Sequence, residues 1–245
     1  MLRGQSGFSL VELAVVLAIV GLLLASTMYT LSAQVDQRNR NDTQRRLEEA
    51  KELLLSFALV NSRLPCPGFA TGDESGGGAA VCTNSYDGLL PARTIGFQPT
   101  DANGFGLDAW GNRIRYAVSS TTWGTGARFT RQHVANSVTA WSITQTPADL
   151  VICSVSPTPI TATICDANTS VTNQTTVVAI VFSTGKNTAT GGTGTNEARN
   201  LDTISLFVSR PPDPPSHPSG EFDDMMVWIP VGLLYGRMIA GGVLP

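Results

Sequence analysis

The sequence predicts an α+β protein: one long N-terminal helix, apolar then amphipathic, packed on a β-rich head with an antiparallel sheet. Three observations lead there. Residues 8–29 read FSLVELAVVLAIVGLLLASTMY, with Glu12 as the one charge. Residues 34–61 contain neither Gly nor Pro and keep apolar side chains at helical spacing. Residues 62–245 carry short apolar runs separated by Gly, Pro, Asn and Ser clusters, which is how strands and turns alternate.

Composition narrows the function classes. The 245-residue chain is 42% hydrophobic and 14% charged, with a net charge of -3. A net negative chain without a Lys/Arg-rich run lacks the electrostatic footprint of a nucleic-acid binder, so no nucleic-acid partner is expected. The apolar content is too high for wholesale disorder, and Gly and Pro are too few for a collagen-like repeat. The charge fraction falls below the usual quarter of a soluble domain, because the charges are concentrated between an apolar end and a neutral polar one.

The apolar run comes first. Twenty-two residues make roughly 33 Å of helix, enough for a hydrocarbon core about 30 Å thick. A removable secretory signal has a shorter apolar region followed by a small-x-small cleavage site. Here the run is longer, and Ala25-Ser26-Thr27 is a poor match to such a site. The spacing Ser9-x-x-Glu12 is a capping box, and Phe8 with Leu13 would supply its hydrophobic staple.

The amphipathic half follows. Leu47, Ala50, Leu53, Leu54, Phe57 and Ala58 share one helical face. Arg45, Arg46, Glu48, Glu49, Lys51 and Glu52 mostly fill the remaining, solvated surface. Leu64-Pro65 stops the helix, since a residue before proline is pushed out of the helical region. A continuous helix over 8–61 would be about 81 Å long.

In the head, strands are expected at 113–118, 128–134, 138–144, 149–155, 176–183, 203–208 and 224–229. Residues 185–196 and 211–218 read as exposed loops, and 231–240 as a terminal helix. Cysteines stand at 66, 82, 153 and 165, an even count without CxxC or zinc spacing, so no metal cage is expected. Of three pairings, Cys66–Cys82 and Cys153–Cys165 close local loops and are favoured; bridges of that size contribute about 3 kcal/mol each. Four disulfide-bonded cysteines imply an oxidising compartment.

No catalytic constellation emerges. Gly185-Lys186 follows a strand, but Ile180 and Asn187 stand where a phosphate loop needs Gly and Ser/Thr. His133 and His217 are isolated, with no nucleophile motif beside them. Asp101, Asn103 and Asp108 cluster oxygen ligands that suit Ca²⁺ in type; their spacing is not that of an EF-hand, and an Asx-stabilised turn explains them better. No cofactor and no enzymatic activity are expected.

The order Gly7-Phe8-Ser9-Leu10-Val11-Glu12-Leu13, after the short polar leader MLRGQSG, closely resembles the prepilin signal of type IV pilins and type II secretion pseudopilins. The resemblance implies cleavage between Gly7 and Phe8 by a membrane peptidase, with N-methylation of Phe8. It also implies that Glu12 pairs with the free amine of a neighbouring subunit during assembly. The chain then divides into a leader (1–7), a membrane and spine helix (8–61) and a periplasmic head (62–245), in a pilin-like fold. Arg38, Arg40, Arg45, Arg46 and Lys51 make the far side of the helix more basic than the leader with Arg3, against the positive-inside rule. Acidic neighbours offset them, and the leader sets the orientation.

Gly21 matches a family glycine, whereas Tyr29 stands where major pilins commonly carry a kinking proline. Asp108-Ala109-Trp110-Gly111-Asn112 with Tyr116 resembles a turn of major pseudopilins, with Ala109 in place of their proline. Together these imply a minor pilin or pseudopilin in the bacterial inner membrane, entering an extracytoplasmic filament. Its partners would be other pilin or pseudopilin subunits, the prepilin peptidase and an inner-membrane assembly platform. The alternative is a periplasmic enzyme or ligand-binding domain on an uncleaved single-span anchor.

Overall fold

The computed structural model describes residues 9–76, 82–123, 126–127, 129–130, 148–159, 161–173, 175–187, 195–214, 216–218 and 220–243, with residues 24–32, 123, 126–127 and 195 described by backbone alone. Two compact units divide it, Met1–Asn41 and Asp42–Pro245. Helix α1 (Leu10–Asn61) contributes to both. The architecture is α+β: an N-terminal helix and a mainly antiparallel sheet.

In the second unit, Thr43, Leu47, Ala50, Leu54 and Ala58 of α1 are completely buried. Their spacing of three or four residues keeps them on one face. Leu53 and Phe57 are only partly buried, at the edges of that face, while Leu55 is buried among its members. The helix stops after Asn61, whose side-chain amide donates to the Phe57 carbonyl at 3.0 Å. Ser62 then turns left-handed at φ 54°, and a residue in that region ends a helix.

The main sheet has the order β1-β2-β6-β8 and is antiparallel throughout. Its strands are β1 (Gly88–Leu89), β2 (Arg115–Val118), β6 (Val177–Ser183) and β8 (Met225–Pro230). The apolar run of β6 is buried at every position, as an inner strand covered on both faces must be. An irregularity in the β6–β8 ladder lies between Val177 and Ala179. It explains why Val178 and Ala179, adjacent in sequence, both join the core formed with α1. That core includes Leu234, Tyr235 and Met238 of the last helix, α4 (Val231–Ala240).

Ile180 and Phe182 pack in a second cluster with Ile152 and Phe207. The latter two belong to β5 (Val151–Cys153) and β7 (Leu206–Val208), which pair in parallel. This parallel pair stands beside the expected antiparallel sheet. The chain between them contains β6 and α3 (Thr195–Asn200), ample length for the crossover a parallel pair needs. Short elements complete the unit: α2 (Ala92–Ile95) and the hairpin β3 (Thr122–Trp123) with β4 (Gly126–Ala127).

Disulfides join Cys66 to Cys82 and Cys153 to Cys165, with Cα separations of 5.4 and 5.6 Å. The strands expected at 128–134 and 138–144 lie almost wholly outside the described residues; Phe129 and Thr130 form part of a turn. The loop expected at 185–196 is not exposed at either end. Gly185 is buried, and Asn196, within α3, is buried because its side-chain oxygen accepts from the Ser156 amide at 2.8 Å.

Candidate functional site

The N-terminal unit presents its chemistry on one helix. Gly7 and Phe8 lie outside the described residues. Ser9 immediately precedes α1, and the capping box is formed: the Glu12 amide donates to Ser9 Oγ at 3.2 Å, and the Ser9 amide donates to Glu12 Oε2 at 3.5 Å. Backbone amides of Glu12 and Leu13 also donate to the Ser9 carbonyl, at 3.1 and 3.2 Å. A carboxylate in this first turn is favoured by the unsatisfied amides and the helix dipole.

Beyond Glu12 the helix surface is apolar. Every residue from Ser9 to Leu23 is exposed, Leu10 at 85% and Leu22 at 73%. Leu10, Val11, Leu13, Val15, Val16, Leu17, Ile19, Val20, Leu22 and Leu23 point to all sides, so no single buried face exists in this stretch. A contiguous apolar surface of this kind marks a contact with lipid or with another protein. Among the described residues, no helix is long and apolar enough to cross a membrane.

The turn at Asp108 fastens the head to the α1 residues of the same unit. Asp108 Oδ1 accepts from the Trp110 and Asn112 amides at 2.9 and 2.8 Å, and Ser183 Oγ donates to Oδ2 at 2.6 Å. Gly111 takes φ +87°, which a side chain would disfavour. Arg46 donates to the carbonyls of Leu107 and Asp108, and the Ala109 amide donates to Thr43 Oγ1 at 3.1 Å. Burial raises the Asp108 pKa, with partial relief from Ser183 and the turn amides. Tyr116 is buried in the main core, its hydroxyl donating to the Pro65 carbonyl at 3.1 Å.

The oxygen ligands around residue 101 have structural partners. Asp101 Oδ1 accepts the Asn103 and Phe105 amides, both at 2.9 Å, and Arg113 Nε donates to Oδ2 at 2.7 Å. Burial pushes the Asp101 carboxyl up, but the Phe105 and Arg113 hydrogen bonds outweigh it and leave the pKa lowered. This is the geometry of an Asx turn closed by an ion pair.

A second acidic group escaped the sequence reading. Oxygen atoms of Glu197, Asp223 and Asp224 lie within 4.8 Å of one another. Glu197 accepts from the Asp223 amide at 2.8 Å and from the Asn187 side chain, Asp223 from the Lys186 amide at 2.8 Å, and Asp224 from Asn200 Nδ2 at 2.7 Å. Only the Asp223-Asp224 doublet signalled it, because Glu197 arrives through tertiary contact. Burial pushes Asp224 up to about 8, and the charges of Glu197 and Asp223 add to the effect. Carboxylates of this type could hold a cation, but the contacts formed here fasten the 185–187 segment and α3 to the segment that leads into β8.

Residues 2–28 match the family model described as the prokaryotic N-terminal methylation motif, the prepilin signal of type IV pilin-like proteins. No curated protein and no solved structure matches the chain.

Proposed function

We propose that this chain is a minor pilin or pseudopilin: a structural subunit of a type IV pilus-like or type II secretion pseudopilus filament, assembled through its N-terminal helix. The observation that carries the reading is the helix start. A prepilin signal at residues 2–28 coincides with an all-round apolar helix surface interrupted only by Glu12, held in a capping box. Prepilin peptidase cuts between Gly7 and Phe8, and the new amine of Phe8 is methylated. The apolar run 8–29 then anchors the subunit in the inner membrane and later packs among neighbouring helices in the filament.

Glu12 sets register in that packing. A lone carboxylate at the centre of a membrane helix costs about 2.5–3.5 kcal/mol on insertion scales, and less near the interface. Pairing with the Phe8 amine of an adjacent subunit removes that cost and fixes the axial offset. The head faces the periplasm, an environment in which the two disulfides persist.

The test is Glu12→Val in the native bacterium. Membrane insertion should be unchanged, because the substitution makes the helix more apolar. Incorporation into sheared surface filaments, or into a pseudopilus induced by overexpression, should fall to the level of a strain lacking the assembly platform. Wild-type incorporation of the variant would remove the proposed role of Glu12.

A further inference from the structure

A turn just after the Cys153–Cys165 bridge carries chemistry that the assembly reading does not use. The string Asp166-Ala167-Asn168-Thr169-Ser170 places a serine two residues after an asparagine, the spacing of an N-glycosylation acceptor. The Thr169 amide donates to the Asp166 carbonyl at 3.1 Å, closing a four-residue turn with Ala167 and Asn168 at its corners. Asn168 takes φ 65°, a left-handed conformation that asparagine tolerates better than most side chains. Asp166, Asn168 and Ser170 are all exposed. Two other asparagines have the same spacing. Asn41 stands before Thr43, which is completely buried with its hydroxyl receiving the Ala109 amide, so an enzyme cannot reach that string. Asn173 stands before Thr175, with the apolar Val171 two residues ahead of it. Ahead of Asn168 that place holds the exposed Asp166 carboxylate, a charged handle for recognition.

We infer that Asn168 is the acceptor of an N-linked glycan, added on the extracytoplasmic side of the membrane. The donor is an oligosaccharide carried on a polyisoprenyl diphosphate. The Asn168 side-chain nitrogen attacks the anomeric carbon of that sugar and forms a C–N bond. The C–O bond to the diphosphate breaks, the lipid diphosphate leaves with the bonding electrons, and the amide nitrogen gives up one proton. The surface around the turn is one that a glycan would cover. Val155, Ile164 and Val171 are 44, 56 and 42% exposed. Ser154, next to Val155, donates its amide to the Thr169 carbonyl at 2.7 Å, while Ile164 adjoins Cys165 and Val171 adjoins Ser170. A bulky, solubilising chain at Asn168 shields such side chains from other apolar surfaces. The inference rests on the proposed extracytoplasmic location of the head and on no other part of the filament reading.

The test is mass spectrometry of the full chain purified from the native bacterium, reduced, alkylated and digested to peptides that span Asp166–Ser170. Electron-transfer fragmentation, which leaves glycosidic bonds intact, should place hexose or N-acetylhexosamine mass on Asn168. Asn168→Gln and Ser170→Ala should each lose that mass, whereas Ser170→Thr should keep it, because either hydroxyl residue completes the acceptor string. Both positions are exposed, so all three variants should keep the wild-type urea midpoint. A bare Asn168 on a chain that begins at Phe8 overturns the inference and leaves the filament reading standing. A bare Asn168 on a chain that still begins at Met1 overturns both. Sugar mass on Thr169 or Ser170, or retained by Asn168→Gln, overturns it in favour of a hydroxyl-linked modification.

Discussion

Replacing Asp224 by Asn should stabilise the protein, and the gain should grow with pH. Asp224 is 6% exposed, and its carboxyl accepts one hydrogen bond, from Asn200 Nδ2 at 2.7 Å. Burial is the main cause that lifts its pKa from 3.8 to about 8; the nearby Glu197 and Asp223 charges add, while Asn200 and Arg115 pull the other way. A carboxyl whose folded pKa is raised favours the native state fully below its unfolded pKa. That contribution is lost as pH rises from about 4 towards 8. Each pH unit in this window removes about 1.4 kcal/mol, so the loss approaches 5 kcal/mol, to order of magnitude, at its upper end. The substituted amide keeps an acceptor oxygen for Asn200 and carries no charge. Urea titrations of the full-length chain in zwitterionic detergent, followed by tryptophan fluorescence at several pH values, measure the difference. The variant should equal the wild type near pH 4 and exceed it increasingly above. Parallel pH profiles would show that Asp224 is not held protonated, and the argument from burial would fail.

Other consequences follow from the same packing. Arg63 is buried and held by Glu74 through two hydrogen bonds of 2.7 and 2.6 Å, so Glu74→Ala leaves a desolvated guanidinium and should cost about 3 kcal/mol in the same urea assay. Double substitution of Cys153 and Cys165 by Ser opens a loop with a sequence separation of 12 and should cost about 3 kcal/mol, read as a lowered urea midpoint. Gly72→Ala should disrupt the Gly104 turn, because a Cβ there would sit 1.7 Å from the Gly104 carbonyl oxygen; loss of soluble head after limited proteolysis would report it.

What the sequence made legible was mostly local. The capping box depends on residues three apart, and Ser9 and Glu12 form it. The face of α1 is likewise a matter of period, although Leu55 and Thr43 join it. Thr43 carries no apolar signal, and only tertiary contact explains its burial: its hydroxyl receives the Ala109 amide. Strands β2, β5, β6 and β7 fall inside the expected strand runs, β8 extends one residue past its run to Pro230, and α4 spans the 231–240 segment expected to be helical. The two-residue strand β1 and the four-residue α2 are too short to carry a periodic pattern. Helix α3 overlaps a Gly/Thr-rich stretch and is fixed by the contacts of Asn196, Glu197 and Asn200. The parallel pairing of β5 with β7, and a cavity wall shared by Phe69, Arg115, Glu197 and Asp224, join segments far apart in sequence. Such partners are chosen by topology, which no local spacing encodes. The N-terminal signal stands at the opposite extreme, being read by a processing enzyme as a short linear string.

Mass spectrometry of the mature N-terminus, on protein purified from the native bacterium, tests the central proposal most directly. The account predicts a chain that begins at Phe8 and carries one added methyl group on its amine, with the apolar helix retained. A chain still beginning at Met1, or one cut after residue 25 with the helix removed, would contradict it.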